Sequence, residues 1–277
     1  MTLLDLHCHS TASDGAFDPV DVVALAAAAG VTTLALTDHD TLEGLAAADA
    51  AARASGIEFA PGTELSVRVP SGSMHLLAYL PSLAPEPLAS RMQQIGEFRA
   101  TRNQRIVARL GELGFPIRWE DVAAKARGRV GRPHIAAALV DAGYVATVQQ
   151  AFDELLSDQG PAYVEAGSFG PAEAVALARA SGCAPVLAHP YSLRLAGGEL
   201  DVFAGELAQA GLLGLECFRR DHDEAMRAAN LEICARHGLV PTGGSDFHGT
   251  RDDQIGDVGA VPVPAGTYAE LMGRATS

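Results

Sequence analysis

The sequence predicts an α/β protein whose body is a largely parallel sheet, closed as a barrel or open and doubly wound, with a helical segment inserted. Two observations carry this. Short β-rich runs alternate with Ala-rich helical runs over residues 1–80 and again from residue 171 onward, and repeated β-then-α units of that size build parallel sheets. Between these stretches the strand signal disappears. The expected division is a body made from 1–81 and 166–277, and a helical insert, a cap or lid, over 82–165.

Each element has a local cause. LLDLH (3–7) reads as the first strand. Asp18 is placed to cap a helix that has Pro19 in its first turn and Gly30 at its end. TTLALTDH (32–39) is the second strand, Thr41 is expected to cap a helix running to Gly56, and IEFAPGTELSV (57–67) is the third strand. Pro70, Ser71, Gly72 and Ser73 make a turn, so MHLLAYL (74–80) returns as a hairpin partner. The insert reads as a long helix over 86–113, basic on one side through Arg91, Arg99, Arg102, Arg105 and Arg109. Shorter helical stretches follow at 119–127, 131–144 and 148–156. Pro171 then opens a helix before the buried strand APVLAH (184–189). A helix over 200–210 leads to LLGLECF (212–218), one over 222–237 leads to LVPTGGSDFH (239–248), and a last helix lies beyond 265.

Composition excludes several classes. With 277 residues, 48% hydrophobic and 19% charged, the chain can pack a core, and wholesale disorder is ruled out. No apolar run approaches the roughly 18 residues of a spanning helix, so no membrane association is expected. The opening MTLLDLHCHS lacks a basic region followed by an apolar stretch, so no secretory signal is expected. Cys8, Cys183, Cys217 and Cys234 are scattered without CxxC pairing, which points to a reduced, cytoplasmic chain. Twenty Lys and Arg against 34 Asp and Glu give a net charge of −14, which argues against duplex DNA or any long nucleic acid as partner. An anionic substrate would need a local reversal of that field. Neither GxSxG nor GxxxxGK[ST] occurs, so acyl-enzyme and nucleotide-cradle chemistry lack support.

The histidines carry the chemistry. His7 and His9 with Asp14, Asp38 and His39, Glu64, His75, His189, and Asp246 with His248 gather at or near predicted strand ends. In a parallel β/α body those ends open on one face. His75 lies early in its strand, but an antiparallel hairpin with 57–67 brings it beside Glu64. Alternation points His7 and His9 to one side and Cys8 away, and likewise pairs Asp246 with His248 across Phe247. Imidazoles and carboxylates without an inward thiolate suit zinc, manganese or iron, and so many donors suit two or three ions with carboxylate bridging. One histidine at a strand end is ordinarily a satisfied core or surface residue. The whole set is different, because burying that many ionisable groups without cations costs too much. His222 and His237 fall in the late helix and read as surface residues. Glu216 either supports a ligand or closes its strand, and Asp40 and Glu43 read as structural acids in a helix first turn.

The stretches DLHCHSTASDG (5–15), LTDHDTLEG (36–44), GTELSV (62–67), HLLAY (75–79), AHPYS (188–192) and GGSDFHG (243–249) resemble the motifs of the polymerase and histidinol phosphatase (PHP) family of metal-dependent phosphoesterases. The resemblance implies a distorted seven-stranded β/α barrel with a three-metal site at the strand C-termini. It implies His7, His9, Glu64 and Asp246 around one ion, Glu64 bridging to a second held by His75 and His189, and Asp14, His39 and His248 around a third. Manganese is the implied activating ion, with zinc or iron as alternatives, and Asp246, His189 and His248 are the candidate catalytic residues. The insert, with GRPHIA and the following GPAYV (160–164), resembles a bacterial subgroup that removes the 3′-phosphate of nucleoside 3′,5′-bisphosphates and trims short RNA from its 5′ end. Hydrolysis by a metal-held hydroxide is implied, with the ions making the site locally positive. A nucleotide phosphatase is therefore expected, with no obligate protein partner. The alternatives are a 5′→3′ exoribonuclease on short RNA, a nucleoside monophosphate or histidinol-phosphate phosphatase, and, from another class, a non-catalytic metal-binding module.

In the insert, Arg132 and His134 flank Pro133 at an expected helix start, where free N–H groups favour an anion. They are the candidate substrate contacts, together with Arg102 and Arg105 on one face of the long helix. The remaining arginines read as a solvated basic face.

Overall fold

Seven strands lie side by side in chain order: β1 (Leu4–Asp5), β2 (Thr33–Leu36), β3 (Glu58–Val67), β4 (Met74–Tyr79), β5 (Ala184–Leu187), β6 (Gly214–Phe218) and β7 (Val240–Gly243). The structure is a computed structural model that describes residues 2–126, 130–157, 160–164, 169–196, 198–249 and 257–276, the side chains of 99 and 100 excepted. Pairing is parallel except at β4, which runs antiparallel to both β3 and β5. Past β7 the chain returns to the segment past β1. The Asp246 N–H donates to the His7 carbonyl at 2.8 Å and the His9 N–H to the Phe247 carbonyl at 2.9 Å, with Cys8 and Phe247 bridged in parallel. The result is a nearly closed seven-stranded α/β barrel.

The helices are α1 (Pro19–Ala28), α2 (Leu45–Ser55), α3 (Leu88–Glu112), α4 (Trp119–Ala123), α5 (Arg132–Asp141), α6 (Val148–Ala151), α7 (Pro171–Ala180), α8 (Glu199–Gln209), α9 (Glu224–His237) and α10 (Thr267–Ala275). A π-turn over Phe152–Leu156 continues α6. Among the described residues no helix is long and apolar enough to cross a membrane.

Alternate strand residues fill the barrel. Leu4, Leu6, Ala35, Ala60, Leu77, Tyr79, Ala184, Val186 and Val240 form one buried cluster, joined by Leu271 and Ala275 of α10. Small alanines let the strands approach around so narrow an interior, and the one polar atom brought in by Tyr79 is satisfied by the Leu6 carbonyl at 2.8 Å.

Several element starts differ from expectation. Asp18 does stand before α1, but its carboxylate accepts from the Thr11 hydroxyl at 2.6 Å rather than capping the helix. Thr41 caps nothing: its hydroxyl accepts from the Glu43 N–H inside a turn, and α2 starts four residues later, after Gly44 at φ 88°. Asp40, just before Thr41, is tied to a distant strand instead. It sits at φ 48° with its carboxylate engaged by the Ser66 N–H and hydroxyl. The strand expected at 3–7 pairs only over Leu4–Asp5, and the helix expected at 119–127 ends at Ala123, with residue 127 outside the described residues.

The chain divides into two compact units, Met1–Met92 with Ser168–Ser277, and Gln93–Gly167. The boundary expected at 165–166 lies outside the described residues. The second unit has its own apolar core, in which Ile106 and Leu110 of α3 meet Val122, Ile135, Leu139 and Leu155. Their i,i+4 spacing on α3 and α5 gives each helix a buried stripe.

Candidate metal centre

The barrel delivers its polar residues just past the apolar fill. His7 and His9 follow β1 with Cys8 turned away, its Sγ 3.6 Å from the Ser245 hydroxyl. Asp246 and His248 follow β7 on either side of Phe247, which is buried and stacked on Phe17 with ring centroids 5.9 Å apart. His39 follows β2, Glu64 lies in β3, His75 in β4, and His189 follows β5. In β4, His75 pairs with Ser66 and so reaches Glu64 diagonally across the hairpin. Backbones crowd here. A Cβ at Gly244 would sit 2.5 Å from His7 Cβ, and one at Gly15 would sit 2.7 Å from the His9 carbonyl, so only glycine fits at either place. His189 and Asp246 hold φ values of 23° and 55°, strain of the kind that collects at functional sites.

Glu64 is the centre of the arrangement. One carboxylate oxygen lies 3.1 Å from His7 Nε2, 3.1 Å from His9 Nε2 and 3.3 Å from His39 Nδ1. The other lies 2.9 Å from both His75 Nδ1 and His189 Nε2. Asp246 Oδ1 faces His7 Nε2 and His9 Nε2, each at 3.2 Å. Asp14, more than half exposed, reaches His248 Nε2 at 3.4 Å, and His9 and His39 at 3.7 Å. Three overlapping donor sets result: His7, His9, Glu64 and Asp246; His39, Glu64 and His75; and His9, Asp14, His39 and His248. His189 adds its Nε2 beside the second set, 3.2 Å from His75 Nδ1.

Burial opposes charge on each ring, and the acids decide which rings resist it. At His7 the charges of Asp246, Glu216 and Glu64 overcome burial and raise the imidazole well above its usual range. At His9, hydrogen bonds to Asp246 and Glu64 do the same and bring it up to about 9. Burial prevails at His39, which falls to about 4. Despite burial, the surrounding imidazoles hold Glu64, Asp246 and Asp14 well below the usual carboxylate range.

These residues fit divalent cations. His9 Nδ1 and His39 Nδ1 are buried without a hydrogen bond, six imidazoles crowd three carboxylates, and the His9 and His248 rings stack with centroids 4.1 Å apart. Nitrogen and oxygen donors without sulfur suit manganese, zinc or iron. Outer partners fix the candidate ligating atoms. Glu216 binds His7 Nδ1 at 2.9 Å, the Ser192 hydroxyl binds His189 Nδ1 at 3.0 Å, and the Asp246 carbonyl accepts from His248 Nδ1 at 2.8 Å, each leaving Nε2 for the centre.

Glu216 thus holds one of the candidate ligands, His7, where the sequence left open that it merely closed its strand. Asp38 faces away from the donor sets: it accepts from the Ser10 N–H and hydroxyl and the Ser13 hydroxyl, fixing the loop after His9. His222 is not a surface residue. It precedes α9, whose cap is Asp223, and is buried with Nδ1 on the Cys217 carbonyl at 3.0 Å. His237 ends α9 and pairs with Asp201 at 2.9 Å. Sequence reasoning missed Asp5, whose buried carboxylate accepts from the Ser245 and Gly259 N–H groups and ties β1 to the loop carrying Asp246. It also missed Arg219, because nothing in a sequence separates a buried arginine from a solvated one. In the helical unit, Arg102 is buried and donates from Nε to the Val164 carbonyl at 2.5 Å, and Arg132 donates to the Leu156 carbonyl at 3.0 Å. His134 Nδ1 accepts from the Gly131 N–H at 2.9 Å, closing the start of α5, and Arg105 is exposed.

A barrel with three overlapping sets of nitrogen and oxygen donors at its strand ends has the donors to hold several divalent cations. The PHP domain family matches residues 5–110. The chain is 34% identical over 255 residues to the 3′,5′-nucleoside bisphosphate phosphatase of Chromobacterium violaceum, covering 90% of this chain and 88% of that protein. It is 32% identical over 244 residues to a 5′-3′ exoribonuclease of Haemophilus influenzae, covering 88% and 89%. A crystal structure from Bifidobacterium adolescentis, assigned to the metal-dependent phosphoesterases, superposes with a TM-score of 0.79 at 33% identity, covering 99% of this chain and 96% of that one. The chain belongs to the PHP family and is a metal-dependent phosphoesterase.

Proposed function

We propose that this protein removes the 3′-phosphate of nucleoside 3′,5′-bisphosphates, such as adenosine 3′,5′-bisphosphate, to leave the 5′-monophosphate, using three manganese ions. The observation that carries the reading is Glu64, whose two oxygens face different groups of imidazoles and so can join two of the donor sets. His7, His9, Glu64 and Asp246 would hold one ion, Glu64, His75 and His189 a second, and Asp14, His39 and His248 a third. Such ions lower the pKa of a water and neutralise phosphoryl charge, reversing locally the field of a chain at net −14. The residues supply preorganisation: Glu216 and Ser192 lock two imidazoles by their Nδ1 atoms, so the ligating atoms need no rearrangement. Asp246, His189 and His248 are the proposed catalytic residues. Arg132, His134, Arg102 and Arg105 are the proposed contacts to the second phosphate and the nucleoside, on the chemistry of their side chains.

The substrate class follows the Chromobacterium violaceum relative. A second reading, 5′→3′ trimming of short RNA, is favoured by the Haemophilus influenzae relative. Aromatic content of 5% and the acidic balance weigh against a strand-tracking groove. Phosphate release with manganese from adenosine 3′,5′-bisphosphate, 5′-AMP, 3′-AMP, histidinol phosphate and a 5′-phosphorylated RNA pentamer tests the choice. Preferential loss of the 3′-phosphate from the bisphosphate is expected. Much faster conversion of the pentamer to mononucleotides would make the protein an exoribonuclease.

A further inference from the structure

Arg219 follows β6 and is only 6% exposed. Its guanidinium serves three carboxylates. Nε and Nη2 grip Asp221 at 3.0 and 3.2 Å, Nη1 reaches Glu216 at 3.4 Å, and Nη2 also reaches Asp246 Oδ2 at 3.2 Å. The opposite oxygen of Asp246, Oδ1, is the one that faces His7 and His9. Glu216 in turn holds His7 Nδ1 with one oxygen and accepts the His189 N–H with the other at 2.6 Å. The Tyr191 ring lies 5.8 Å from the guanidinium carbon and limits its swing.

We propose that Arg219 is a positioning residue for the metal centre: its planar fork holds Asp246 by Oδ2 so that Oδ1 alone meets the donor set with His7 and His9, and Asp221 is the seat that aims the fork. The inference rests on the metal reading of that donor set. Three acids already engage the one cation, so this arginine is committed to ordering carboxylates rather than to meeting a phosphate. An ammonium could not replace it, because a point charge on a flexible stem cannot span three acids in fixed directions.

The test measures Mn2+ binding by equilibrium dialysis, and the Mn2+-dependent rise in thermal midpoint, for the wild type, Arg219→Gln, Arg219→Lys, Asp221→Asn and the reference variant Asp246→Asn. Arg219→Gln should weaken Mn2+ binding by roughly 10–100-fold. Arg219→Lys should recover little of that loss, and Asp221→Asn should lose less in the same direction. A merely structural arginine would lower the midpoint of the metal-free protein and leave the Mn2+-dependent increment intact. Affinities within about twofold of wild type in both Arg219 variants, with Asp246→Asn impaired, overturn the proposal. Should Arg219→Gln not fold, unchanged affinity in Arg219→Lys and Asp221→Asn overturns it equally. If Asp246→Asn itself binds Mn2+ like the wild type, the metal reading falls and takes the proposal with it.

Discussion

The barrel and the helical unit satisfy their buried and half-buried polar side chains by opposite means. In the helical unit Arg102 and Arg132 give their N–H groups to the Val164 and Leu156 carbonyls, and His134 accepts from the Gly131 N–H, so side chains answer orphan backbone groups. In the barrel Glu64, His7, His9 and Asp246 answer chiefly one another. Groups satisfied by backbone can serve structure without a ligand. Groups of both kinds packed against each other, with His9 Nδ1 and His39 Nδ1 left over, invite a cation.

Substitutions on the two sides should differ in kind, metal and activity lost in the barrel and stability lost in the helical unit. The largest effect is expected at Glu64, because two donor sets share it. Glu64→Gln should lower phosphate release by about 10³-fold or more, several kcal/mol of transition-state stabilisation, and should cut bound Mn2+ on dialysis. Full activity with full metal content would show that Glu64 holds no ion. The next effect tests the helical side. Arg102→Met leaves the Val164 carbonyl without this donor and should cost about 1–3 kcal/mol in denaturant unfolding. A KM raised in the same variant would support the proposed substrate contact of Arg102, and an unchanged KM would leave it this structural role alone. His134→Ala should be smallest, near 1 kcal/mol for the lost closure of the α5 start. A raised KM in the folded variant would support the proposed substrate contact of His134, and an unchanged KM would count against it.

Most of the barrel was legible because its signals are local. Pro19, Pro171 and the hairpin turn before β4 punctuate the chain where they stand. The strand-end histidines announced themselves by clustering with acids at period two. Thr41 takes the Glu43 N–H inside a turn instead of capping a helix, and the neighbouring Asp40 is engaged by a distant residue, Ser66, a contact no local preference dictates. His222 was misjudged because a helix-like composition hid that the chain caps one residue later, at Asp223. Asp38 looked like a ligand for the same reason that His39 did, being adjacent in sequence and at a strand end. Only the loop of Ser10 and Ser13 folding over it shows that it serves structure.

The sequence by itself determined the β/α rhythm, the interruption by helices and the identities of the imidazoles and carboxylates that gather at the strand ends. These follow from side-chain periodicity and turn chemistry, which act over a few residues. Tertiary structure alone decided which donors share Glu64, that Glu216 and Asp5 stand behind them, and that Arg219 ties Asp246 to Glu216. Those contacts join residues up to 254 positions apart, from Asp5 to Gly259. No local preference encodes them, because they exist only once the segment past β7 has closed on the segment past β1 and burial has made each unpaired charge costly.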